Sequence, residues 1–180
     1  MNNSSQLGQP SGKRSSDDIH GYFCPSPRIC CAQHIRGGWA KIANMGLREA
    51  IKVSNVPVYQ ELARRIGLER MRDNVARMGF GNGEIGTVVD NFWLDGPLKI
   101  SAVEQTQFLA RLARDELPFP KDAQAKVREI VHLEQGDGWT LYGKTGWVNV
   151  PNPGIGWWVG WVIKESHVYS FALNIDITLF

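Results

Sequence analysis

The chain has 180 residues, 43% of them hydrophobic and seven of them tryptophan, which excludes a mainly disordered polymer and allows a sizeable core. Twenty Lys and Arg stand against eighteen Asp and Glu, a net charge of +2, and the two signs are interleaved, so nothing in the sequence asks for nucleic acid. No apolar run reaches the roughly 18 to 20 residues of a membrane span.

The chain divides near residue 45. Residues 1–44 are rich in Ser, Gly, Pro and Arg, hold no sustained helical or strand period, and read as an irregular or disordered leader ahead of a folded domain at 45–180. The polar start MNNSSQLGQPSGKRSSDD lacks the apolar core of a secretory signal, so the chain as written is expected in the cytoplasm. Cys24, Cys30 and Cys31, with His34, offer soft ligands in C-x5-C-C-x2-H, but structural zinc wants two separated ligand pairs. Incidental thiols are the expectation, with no metal and no cofactor.

From Met45 the period is helical. Residues 45–53 place Leu47, Ile51 and Val53 along one side of a short helix that leads into Ser54. Pro57 suits a first helical turn, and Val58, Leu62 and Ile66 follow at i, i+4, i+8 before Gly67. A second helix spans 68–78, with Met71, Val75 and Met78 inward, and stops at Gly79. Ser101 and Glu104 form a capping box that opens a helix running to about Arg114, its apolar side Val103, Phe108, Leu109 and Leu112. A further helix over about 122–133 buries Val127, Ile130 and Val131.

The last third changes period. Residues 140–148, 156–163 and 167–175 are rich in Trp, Val, Tyr and Phe and are separated by short turns at 149–154 and 164–166, which predicts three antiparallel strands in a meander. Trp157, Trp158 and Trp161 read as packing residues on the middle strand. Helices upstream and strands downstream make an α+β sandwich rather than a doubly wound parallel fold.

Several phrases carry a family resemblance: IKVSNVPVYQELARRIG, GFGNGEIGTVVDNFWLDGPLKISAVEQTQFL, GKTGW, GWWVGWV and FALNIDI, in that order. Residues from about 45 to 177 resemble the central and C-terminal part of a class D β-lactamase, the oxacillinase family of the serine β-lactamase and penicillin-binding transpeptidase superfamily. The resemblance implies a helix–antiparallel sheet–helix sandwich. It is incomplete here: the first strands, the nucleophile-bearing helix and the terminal helix of that family have no counterpart in the sequence. It also implies penicillin hydrolysis through a serine acyl-enzyme, with a β-lactam as the small-molecule partner and a periplasmic setting for the complete enzyme. Oligomeric state is left open.

Residue by residue, Ser54 resembles the hydroxyl that shuttles a proton towards the lactam nitrogen, and Val56 the apolar cover over a carbamylated lysine. Phe80 stands where the family usually has tyrosine, ahead of Gly81 and Asn82. Trp93 occupies the place of an indole that donates to the carbamate, with Leu94 beside it as an apolar gate. Lys144 and Thr145 correspond to the charge and hydroxyl near the substrate carboxylate, Gly146 completes that edge, and the Trp147 backbone N–H to one oxyanion donor. Read without the family, Ser54 caps the helix at Pro57, Trp93 is core, and Gly81 and Asn82 are loop residues.

The family's nucleophile pair is Ser-x-x-Lys at a helix start, so that both side chains share one face. The residues three before the eight lysines are Pro10, Gly38, Glu49, Gly96, Pro118, Ala123, Leu141 and Trp161. No Ser-x-x-Lys occurs in the 180 residues, so lysine carbamylation has no site and the expectation is an inactive member of the family. A truncated coding sequence is the simplest account of both ends, and an uncovered sheet predicts a poorly soluble or partly folded product. The alternatives are a non-hydrolytic penicillin-binding or sensor domain and a non-enzymatic relic.

Overall fold

The structure is a computed structural model that describes residues 43–148 and 153–178 and, before them, the strand segments 29–31, 34–35 and 38–39; side chains are described from Met45 on. The element order is β1 (Ile29–Cys31), β2 (His34–Ile35), β3 (Gly38–Trp39), β4 (Ala43–Met45), α1 (Leu47–Lys52), α2 (Val56–Ile66), α3 (Leu68–Met78), α4 (Ala102–Ala113), α5 (Lys121–Ile130), β5 (His132–Gly136), β6 (Trp139–Val148), β7 (Gly154–Lys164) and β8 (His167–Ile177).

The stretch expected to be irregular thus contains two short antiparallel pairings, β1 with β4 and β2 with β3. Backbone pairing over two or three residues needs no apolar alternation, which is why the sequence does not announce it. The rest of the leader, and the side chains of Cys24, Cys30, Cys31 and His34, lie outside the described residues. No helix among the described residues is long and apolar enough to cross a membrane.

The helices follow their end signals. Asn55 caps α2 by accepting from the Val58 N–H at 3.3 Å, Pro57 sits in the first turn, and Gly67 and Gly79 close α2 and α3. At α4 both halves of the predicted capping box form, Glu104 N–H to Ser101 Oγ at 3.2 Å and Ser101 N–H to Glu104 Oε2 at 2.8 Å. Some faces differ from expectation. Leu47, Val53, Val103 and Val127 are exposed, while Ala50, Gln105 and Gln124 are buried. On α4 the buried set is Gln105, Leu109 and Leu112, at i, i+4, i+7, and Val103 lies on the far side of that stripe.

The sheet is a four-stranded antiparallel meander, β5-β6-β7-β8, and not the three strands expected. Helix α5 ends at Ile130, earlier than predicted, and β5 follows after a single residue. Asp137-Gly138, with Gly138 at φ +72°, joins β5 to β6 in a two-residue hairpin. The turn from β7 to β8 puts both Glu165 (φ +47°) and Ser166 (φ +68°) in left-handed geometry, which matches the twist of the strands it joins.

Helix α4 covers one side of this sheet. Leu109, Leu112, Leu117 and Trp161 form the buried centre, with Phe108, Phe119, Val131 and Tyr142 packed around it. Trp161 is 1% exposed and stacks on Tyr142 with ring centres 4.8 Å apart and planes 9° apart. Gln124, 3% exposed, holds the turn after α4 by accepting from Leu117 N–H and donating to the Leu117 and Phe119 carbonyls. A second cluster, Val75, Ile85 and Phe92, fixes the long loop 80–100 against α3.

Candidate active site

The turn between α1 and α2 determines what Ser54 does. Ser54 N–H donates to the Ile51 carbonyl at 3.2 Å and Asn55 N–H to the Ala50 carbonyl at 2.9 Å, so the chain reverses within two residues. Ser54 takes φ +52°, an unusual position for a residue with a side chain. Because Asn55 supplies the cap of α2, the Ser54 hydroxyl is not used there, contrary to its reading as a helix cap. It is exposed instead, and it meets Lys144.

Lys144 comes from the middle of β6, opposite Val159 on β7. Its Nζ donates to Ser54 Oγ at 2.6 Å, to the Thr145 carbonyl at 2.7 Å and to Thr145 Oγ1 at 3.2 Å. Two residues 90 positions apart are thereby fixed against each other. Burial holds the Lys144 ammonium below the usual lysine pKa, because partial removal from water penalises the charged form.

Both residues line a cavity of about 890 Å³ between the α1–α3 helices, the 92–94 turn and the strands β6, β7 and β8. Of the sequence-predicted site residues, Ser54, Val56, Trp93, Leu94, Lys144, Thr145, Gly146 and Trp147 all reach it. Lys144 is the one charged residue among the described residues that line it. Trp93 is set by an edge-to-face contact with Phe92, ring centres 4.9 Å apart, and Leu94 N–H closes a turn on the Asn91 carbonyl at 3.0 Å. A Cβ placed on Gly146 would meet only Trp157 Cβ at 3.6 Å, so packing does not demand glycine there; its absence of side chain leaves the cavity wall flat.

Phe80 is not among the lining residues. Its ring packs edge-on against Phe108 with centres 4.8 Å apart, so it belongs to the contact between the loop and α4. Asn82 next to it works on the backbone: Oδ1 accepts from Lys99 N–H at 3.0 Å and from Glu84 N–H at 3.2 Å, and Nδ2 donates to the Pro97 carbonyl at 2.9 Å. Those bonds tie the two ends of the loop that carries Trp93 and Leu94.

The sequence reading also missed part of the wall. Tyr59, Leu62, Ile66 and Met71 line the cavity from α2 and α3, and Trp157, Trp158, Leu173 and Ile175 from the sheet. The i, i+4 stripe on α2 divides between the two roles, since Val58 is fully buried in a cluster with Ala50 while Leu62 and Ile66 are only half-buried. Of the three strand tryptophans, Trp161 packs as expected, while Trp157 and Trp158, on opposite faces of β7, both border the cavity.

The family model for the penicillin-binding protein transpeptidase domain matches residues 23–179. The chain belongs to that family, on its class D β-lactamase branch. β-Lactamase OXA-10 of Pseudomonas aeruginosa is 44% identical over 137 residues, covering 74% of this chain and 52% of that protein. β-Lactamase OXA-48 of Klebsiella pneumoniae is 42% identical over 128 residues, 71% of this chain and 48% of its own length. Among solved structures, FUS-1 (OXA-85), a class D β-lactamase from Fusobacterium nucleatum subsp. polymorphum, superposes with a TM-score of 0.74 at 47% identity, over 77% of this chain and 57% of that one. The chain spans about half the length of the curated relatives it matches. In this class D chain Ser54 and Val56 line the same cavity as Lys144, Thr145 and Gly146, and the two segments meet directly through the Lys144–Ser54 hydrogen bond.

Proposed function

We propose that this chain presents the substrate-facing wall of a β-lactam site and binds penicillins without hydrolysing them. The observation that carries the reading is the 2.6 Å bond from Lys144 Nζ to Ser54 Oγ on the wall of a cavity whose other lining, among the described residues, is uncharged. A ligand carboxylate placed at Lys144 and Thr145 gains a charge-assisted hydrogen bond in a partly desolvated setting, while its apolar side chain packs on Trp93, Leu94 and Trp157. Turnover is not expected, because acylation in this family needs the Ser-x-x-Lys pair and the 180 residues contain none.

Tryptophan emission reports on binding directly, since Trp93, Trp147, Trp157 and Trp158 all line the cavity. Titration of the full chain with benzylpenicillin should give a saturable, reversible change in that emission. Lys144→Met should weaken it by about 10- to 100-fold, the worth of one hydrogen bond to a charged group. Nitrocefin should be cleaved no faster than in buffer. Turnover above buffer, or an affinity indifferent to Lys144, overturns the reading.

A further inference from the structure

Ser54 combines features that capping and packing leave unexplained. Its hydroxyl is exposed, its backbone is held at φ +52°, and the cap of α2 is supplied by the next residue. Strained backbone at a side chain that faces a cavity is a place to look for chemistry. The hydroxyl lies 2.6 Å from an amine, and that amine is oriented in turn by the Thr145 carbonyl and hydroxyl at 2.7 and 3.2 Å. A nucleophile within reach of a base, and a base held by a third group, is the arrangement that activates serine.

We propose that Ser54 and Lys144 form a nucleophile–base pair that accepts the acyl group of neutral, apolar esters, with Thr145 as the positioning residue. The substrate class follows from the wall. Apart from Lys144 the described lining is uncharged and rich in Trp, Leu and Ile, which suits an apolar acyl chain. A carboxylate-bearing ligand has the opposite effect, because pairing with Lys144 holds it as an ammonium and removes the base. One lysine therefore serves as counter-ion to an anion or as base towards a neutral ester, and the two uses exclude each other. Burial, which favours the neutral amine, supports the second use.

The step balances within the pair, the ester and water. As Ser54 Oγ bonds to the acyl carbon, its proton passes to the neutral Lys144 Nζ. The bond from that carbon to the leaving oxygen then breaks, and the leaving oxygen takes the proton from Nζ. Water next adds to the acyl-serine, yielding the free acid and restoring Ser54.

The inference does not need a β-lactam to bind, and its test separates the two. The full chain is treated with an alkyl fluorophosphonate and with p-nitrophenyl butyrate, and adducts are located by peptide mass mapping. A single adduct on Ser54 is expected, lost in Ser54→Ala. In Lys144→Arg, which keeps a cation but provides no base, it should form about 100-fold more slowly or worse. The labelling rate should rise with pH as Lys144 loses its proton, and benzylpenicillin should slow it. Far-UV circular dichroism and urea midpoints equal to those of the parent show that both variants are folded. No adduct on the unmodified chain, adducts spread over other hydroxyls, or labelling of Lys144→Arg at the parent rate overturns the proposal. Labelling at Ser54 that benzylpenicillin leaves unchanged supports the ester chemistry and counts against the penicillin-binding reading; penicillin binding without an adduct does the reverse.

Discussion

Replacing Gly81 by alanine should damage both the fold and the cavity wall. Gly81 sits at φ +55°, and a Cβ there would lie 2.0 Å from the Lys99 carbonyl oxygen and 2.9 Å from its carbon. Relief requires the Lys99 backbone to retreat by more than an ångström. That same carbonyl accepts from Asn82 N–H at 2.9 Å, and Lys99 N–H donates to Asn82 Oδ1 at 3.0 Å. Losing these two bonds costs about 0.5–1.5 kcal/mol each, and the left-handed backbone adds about 1 kcal/mol for a residue with a Cβ. The total of about 2–4 kcal/mol is a large part of a typical domain's ~5–15 kcal/mol. Gly83 supplies the control, since its φ is +71° but a Cβ there meets nothing within 4 Å. Gly83→Ala should therefore cost only the backbone share, about 1 kcal/mol. Urea denaturation followed by tryptophan emission measures both, and benzylpenicillin titration tests whether loosening of the 80–100 loop reaches Trp93. Equal destabilisation by the two substitutions would refute the steric argument.

Gln124→Leu should cost about 2–4 kcal/mol, because the backbone groups of Leu117 are left unpaired beside a side chain that is 3% exposed; an unchanged urea midpoint would count against it. Trp161→Ala should cost about 3–5 kcal/mol for the cavity it opens. Trp161→Phe should cost only about 1 kcal/mol, since the buried indole N–H has no partner to lose among the described residues. Lys144 gives a pH signature: its folded pKa lies below the ordinary 10.5, so between the two values the unfolded chain binds the extra proton and stability rises with pH. That rise should be absent from Lys144→Met when urea midpoints are compared up to pH 10.5. A parallel pH dependence in the two proteins would show that Lys144 is not desolvated.

What the sequence revealed depended on how local the cause was. Helix α3 ends at Gly79 and α4 begins at Ser101 as expected, because a left-handed stop and a reciprocal cap are set by a few neighbouring atoms. Strand β5 was missed for the complementary reason. His132-Leu133-Glu134-Gln135-Gly136 is largely exposed and polar, so no alternation marks it, and Asp137-Gly138 was the one local signal of a hairpin. Ser54 and Lys144 were legible as a pair only through family resemblance, since no period within either segment encodes a contact across 90 positions. The cavity wall is the deepest limit. Val58 and Leu62 sit four apart on one helix and look alike as apolar periodic positions, yet the first is sealed against Ala50 and the second lines the cavity. Sealing a side chain against its neighbours and setting it against open space for an apolar ligand both favour the same residue types, so the pattern cannot tell them apart. Partial burial in the fold does: Leu62 and Ile66 remain half-buried where Val58 is not exposed at all.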